Sequence, residues 1–170
     1  MKYFLLFIAT YFLAVFNTAA QTPKSDSSSF VTLINSYNYI DSLTSNNTLY
    51  IYFSSIGCFH HLSRKLKIIK QNKSYKLTLY PEKGYVLFEG KKLAAKKEGT
   101  REIILNSKQL NRLRLFEQEA KIYNCETNCG CTTKDTYEFI LNHSIKKYND
   151  SGCSWTGFNK LIKDLFEISR

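Results

Sequence analysis

From Phe30 the apolar residues fall at Phe30, Leu33, Ile34, Tyr37, Ile40 and Leu43, a three-and-four spacing that predicts a helix with Ser29 as its N-cap. The period then shortens. Leu49-Tyr50-Ile51-Tyr52-Phe53 is a dense β-forming run ending at Gly57, and Leu62, Leu66 and Ile68 follow among polar neighbours as a half-buried strand. Gln71 to Ser74 makes a turn, Tyr75, Leu77 and Leu79 a third strand, Pro81 to Gly84 another turn and Tyr85 to Phe88 a fourth strand. Lys91 to Thr100 is predicted as a charged loop and Glu102 to Leu105 as a fifth strand. Asn106 with Gln109 three residues on resembles a capping box, opening a helix that buries Leu110, Leu113, Phe116, Ala120 and Tyr123. Thr136 to Leu141 and Ile145 to Tyr148 bracket an Asn142-His143-Ser144 turn, and Phe158, Leu161, Ile162, Leu165 and Phe166 mark a closing helix with Thr156 as its cap.

The turns between the early strands are too short for parallel crossovers. The pattern predicts an α+β fold: an antiparallel β-sheet (a meander plus a C-terminal hairpin) with two to three helices on it. Trp155 is expected to be a buried anchor where the hairpin meets the last helix.

The first 20 residues stand apart. Lys2, an apolar run of 14 residues from Tyr3 to Phe16, and Thr18-Ala19-Ala20 before Gln21 follow the secretory pattern. The run is shorter than the ~20 residues of a membrane-spanning helix, and no later stretch is long and apolar enough to cross a bilayer. The expectation is a signal peptide over 1–20 cleaved after Ala20, a flexible leader over 21–29, one domain over 30–170, and a secreted or periplasmic location. Aromatic content of 15% with two prolines excludes disordered, collagen-like and low-complexity classes.

Outside the cytoplasm cysteines are usually paired. The last hairpin, if it turns at Asn142-His143 or one residue later, has cross-strand partners whose numbers sum to 285 or 287. Cys131 and Cys153 sum to 284, which makes Cys131–Cys153 the first-choice disulfide, worth about 3 kcal/mol in the chain-entropy account. Further pairing among Cys58, Cys125 and Cys129 stays open. Cys125, Cys129 and Cys131 lack the second ligand pair that a zinc site needs, so no metal or cofactor is expected.

Candidate chemistry is sparse. There is no phosphate-cradling glycine loop, no nucleophile elbow and no His-Glu-x-x-His. His60 and His61 are adjacent and point to opposite faces of a strand; only Cys58 and His60 share one. That pair is the sole starting point for a thiol or metal-dependent hydrolase, and nothing marks an orienting group or oxyanion site, so no catalytic residue is assigned. The carboxylates are read as scattered, with Glu82, Glu89 and Glu98 among lysines.

Charge alters this picture in one place. The formal charge is +10, and His60 to Arg101 alone holds twelve Lys and Arg, ten of them Lys, against those three glutamates. Lys65, Lys67 and Lys76 are expected on the outward face of one hairpin near Tyr80, with Lys91 and Lys92 in the adjoining loop. This could hold an anionic polymer such as a polysaccharide, a lipopolysaccharide of the cell envelope or nucleic acid. Exposed lysines also protect strand edges, so the first reading is a non-enzymatic structural or interaction module with no partner assigned, and polymer binding is the alternative.

Gly57-Cys58-Phe59, Phe116-Glu117, Cys131-Thr132-Thr133 and the run from Asp150 to Phe158, in this order, resemble small secreted bacterial domains of unknown function. The resemblance spans about residues 49–166. It implies an extracytoplasmic domain and supplies no catalytic residue.

Overall fold

The computed structural model describes residues 38–95, 98–125, 133–150 and 155–166. A 3-10 turn over Ile40–Ser42 precedes strands β1 (Thr48–Gly57), β2 (His60–Gln71), β3 (Ser74–Leu79), β4 (Lys83–Phe88), β5 (Lys91–Ala94) and β6 (Arg101–Leu105). Helix α1 (Ser107–Ile122), strands β7 (Thr133–Leu141) and β8 (Ser144–Asp150), and helix α2 (Gly157–Phe166) follow. The eight strands form one antiparallel sheet with both helices on it, which is the expected α+β class.

The path β5-β4-β2-β1-β7-β8 runs across the sheet, and β3 with β6 branches from it. The branch point is β2. Its first residues, His60 to Ser63, pair with β4, and its later ones, Leu66 to Gln71, pair with β3 along the same edge. A strand of 12 residues thus serves two shorter ones, each in antiparallel register.

Alternation along each strand sorts the side chains onto two faces. Leu49, Ile51 and Phe53, with Leu66, Ile68, Leu77, Leu79, Tyr137, Phe139 and Leu141, face the helices and are buried. They meet Leu113, Phe116 and Ala120 of α1 and Phe158, Leu161 and Leu165 of α2. Phe116 sits at the centre, with the rings of Tyr137, Phe139, Trp155 and Phe158 at 5.4–6.2 Å. Trp155 is buried there, as expected. Tyr123, expected to be buried, is exposed, while its ring stacks on Trp155.

The capping box is present and does more than close the helix end. Gln109 N–H donates to Asn106 Oδ1 and Asn106 N–H to Gln109 Oε1, both at 2.9 Å, while Gln109 Nε2 donates to the Leu165 carbonyl at 2.7 Å. One buried glutamine therefore joins the start of α1 to the end of α2. Arg112 strengthens that seam through Asp164 of α2 at 2.8 Å and is held from its own helix by Glu119 at 3.2 Å. On the far side of α1, buried Glu117 accepts the Tyr39 N–H with both oxygens, at 2.8 and 3.0 Å, and ties down the 3-10 turn.

Three expectations change. The stretch from Lys91, expected as a loop, begins with strand β5, because Glu89 and Gly90 both take left-handed backbone angles and close a two-residue hairpin. The helix expected from Phe30 falls outside the described residues up to 37, and beyond them only the 3-10 turn is formed. The disulfide is also corrected: no disulfide lies at bonding distance among the described residues, and Cys58 is an exposed free thiol. The last hairpin turns at Asn142-His143 and keeps partners summing to 285 as far as Asp135 opposite Asp150. Cys129, Cys131 and Cys153 lie outside the described residues. Cys125 instead lays its backbone along the β8 edge, its N–H donating to the Asn149 carbonyl at 2.7 Å. The signal segment 1–20 and leader 21–29 are outside the described residues as well.

Candidate functional site

Cross-strand partners point to the same side, so the register also composes the face that carries no helix. One row across it reads Glu102, Thr78, Lys67, Tyr50, Ile140 and Ile145. Tyr52 stands beside Lys65 and Glu138, and Lys76 beside Ile104. Ile104 and Ile145 are 59% and 63% exposed, so this face is open to solvent. The lysines are held rather than loose. Lys65 Nζ lies 3.9 Å from the centre of the Tyr80 ring and 5.7 Å from that of Tyr50, and Lys92 Nζ is 4.7 Å from that of Tyr85. Lys76 pairs with Glu102 at 2.8 Å, a contact that, with the Thr78 hydroxyl, holds Glu102 below the usual carboxylate range.

Four of the five expected lysines, Lys65, Lys67, Lys76 and Lys92, therefore share one face. Lys91 does not, since its partner Phe88 lies on the other side of the β4–β5 ribbon. The surface is a mixture of lysine, tyrosine and isoleucine with Glu102 and Glu138 among them, not a uniformly basic patch.

The opposite face holds a constellation that spacing did not reveal. Beyond Phe53 the helix-side rows turn polar: Leu62, Ser55, Asp135 and Asp150 lie in register, and the next row carries Val86, His60, Gly57 and Thr133. The His60 imidazole leans across the diagonal, and its Nε2 is 2.8 Å from Ser55 Oγ. Room for this comes from Gly57, where an added Cβ would stand 2.7 Å from His60 Cε1 and 3.0 Å from Thr133 Oγ1. Ser55 stands directly opposite Asp135 in register, and burial is the chief cause that pushes the Asp135 carboxyl up, with the nearby Ser55 hydroxyl opposing it. Asp135 Oδ1 is buried without a hydrogen-bond partner, and the Tyr137 hydroxyl approaches Oδ2 only to 3.5 Å. Asp150 is buried beside it and takes the Trp155 N–H at 3.2 Å.

Ser55, His60 and Asp135 line a cavity of about 340 Å³ with Phe53, Leu62, Val86, Glu82 and Asn159. A larger hollow of about 660 Å³ lies along the first turns of α1; of its three charged groups, Arg112 and Asp164 pair with each other, and Lys108 is the third. Cys58 and His60 do not make a dyad: Cys58 occupies the exposed β1–β2 turn while His60 turns its Nε2 to Ser55. Nor is the Ser55 set a Ser-His-Asp relay, in which the imidazole must stand between hydroxyl and carboxylate; here the hydroxyl is in the middle. The carboxylates, read as scattered, are paired at Asp135 and Asp150, a neighbour relation that the 285 sum contains.

No family model matches the chain, and no curated protein matches it. The resemblance to secreted bacterial domains therefore brings no roles to these residues.

Proposed function

We propose that the protein is a non-enzymatic binding module that takes an acidic polysaccharide across the open face of its sheet. The observation that carries this reading is the seating of Lys65 on Tyr80 and Tyr50. A cation fixed against aromatic rings meets both needs of a sugar acid polymer: charge for its carboxylate or sulfate groups and flat apolar surface for its rings. Lys67 and Lys92 extend the cationic line. Lysine in place of arginine argues against phosphate recognition, which favours the bidentate guanidinium fork. On the reading of 1–20 as a signal segment, the polymer is met outside the cytoplasm.

The test is retention on immobilised heparin and on single-stranded DNA over a salt gradient. Heparin binding that survives physiological salt and is lost when Lys65, Lys67 and Lys76 are all changed to Ser supports the proposal. Elution at low salt, an unaffected triple variant, or stronger retention on DNA overturns it.

A further inference from the structure

We propose that the cavity over Ser55 is a binding site for a primary amine, with the ammonium on Asp135 and Ser55 and the apolar body of the ligand against Phe53, Leu62 and Val86. The argument starts from a hydrogen-bond count. Apart from Glu82, the polar lining of the cavity is the Asp135 carboxylate, the Ser55 hydroxyl, the Asn159 amide and His60, whose Nε2 donates to or accepts from Ser55 according to its tautomer. A serine hydroxyl has one proton to give, so it serves either the carboxylate or the imidazole and not both. The Tyr137 hydroxyl stands 3.5 Å from Oδ2, and Oδ1 has no partner. In either His60 tautomer Asp135 Oδ1 lacks a donor, so the carboxylate is the under-satisfied group of the lining.

Glu82, the other carboxylate of the lining, is ion-paired with Arg64, whose Nε lies 3.0 Å from Oε1 without the alignment of a hydrogen bond, while Arg64 Nη2 donates to Glu98 at the same distance. The unmet demand falls on Asp135 alone. Asp150, buried in the next strand, adds negative potential from behind. An anionic ligand would meet like charge, and a neutral apolar one would leave Oδ1 orphaned. An ammonium carries three N–H donors and a positive charge, which is what this floor lacks. The three apolar residues supply the remaining wall, and the volume is at the lower end of that of small-molecule sites. The site faces away from the lysine-bearing surface and does not depend on what binds there.

The amine could be a free small molecule or the side chain of a lysine in a partner, and both present the same group. Titration of the protein with n-butylammonium, n-butanol, butanoate and Nα-acetyl-lysine amide, followed by backbone amide shifts of Ser55, His60 and Asp135, separates these cases. The expected result is saturable binding of n-butylammonium, about tenfold or more tighter than n-butanol, with no binding of butanoate. Tighter binding of Nα-acetyl-lysine amide also supports the site and identifies a partner's lysine as the source. Asp135→Asn should abolish binding and Ser55→Ala weaken it, while Glu82→Gln retains it. Equal binding of n-butanol, binding of butanoate, failure of both amines to bind, or an unaltered Asp135→Asn variant overturns the proposal.

Discussion

His60 reaches Ser55 through the space that Gly57 leaves empty: a methyl group at 57 would stand 2.7 Å from the imidazole carbon Cε1. Gly57→Ala should therefore swing the ring away and break the 2.8 Å contact with Ser55 Oγ. The expected outcome is a changed His60 imidazole spectrum by NMR, with stability lower by about 1–3 kcal/mol if the ring is trapped in place. An unchanged imidazole spectrum would show that Gly57 does not create the slot.

Burial pushes the Glu117 carboxyl up, and its bonds from the Tyr39 N–H only partly oppose this. A carboxyl raised in the folded state binds protons more readily there than in the unfolded chain. Its stabilising contribution is fully present below the unfolded carboxylate range and is lost as pH rises through the folded value. Glu117→Gln keeps an acceptor and removes the charge. In urea unfolding, the stability of Glu117→Gln relative to the native protein should rise between about pH 4 and pH 7. A difference independent of pH would contradict the sign.

Phe116→Ala empties the centre of the ring cluster and should cost about 3–5 kcal/mol. Chemical denaturation measures this directly, and a loss below 1 kcal/mol would mean that the surrounding rings collapse to fill the gap.

Gly157 stands under Trp155: a Cβ there would lie 2.0 Å from the indole Cε2. Gly157→Ala should displace the ring from Phe116 and Tyr123 and shift the emission of the single tryptophan to the red, and an unshifted spectrum would show that α2 yields instead of the indole.

Much of this architecture is legible in the chain because it rests on local rules. Asn106 and Gln109 announce their capping box by spacing, and Asn142, with its left-handed backbone, marks the final turn and fixes the hairpin register. Strand β5 is hidden because Lys91-Lys92 is too polar to look like a strand and Glu89-Gly90 is an uncommon pair for a tight turn. The polar cavity is only half visible. Asp135 opposite Asp150 follows from the hairpin register, whereas the diagonal from His60 to Ser55 depends on an empty volume at Gly57, and spacing along a chain does not encode empty volumes.

The two arms that leave β2 differ in what holds them. β3 and β6 place Leu77, Leu79 and Leu105 in the core, while β4 and β5 bury none of their residues fully. Amide exchange in β4 and β5 should therefore be faster than in β3, and equal protection in both arms would show that the sheet opens only as a whole.

Sharing one strand between two ladders also gives the molecule a sacrificial edge. The β4–β5 ribbon can be nicked at Glu89-Gly90, lengthened there, or exchanged for another sequence while the β1–β2–β3 ladder and both helices keep their partners. A change of sequence in this ribbon leaves the core untouched but reaches the rim of the proposed amine cavity, which includes Val86.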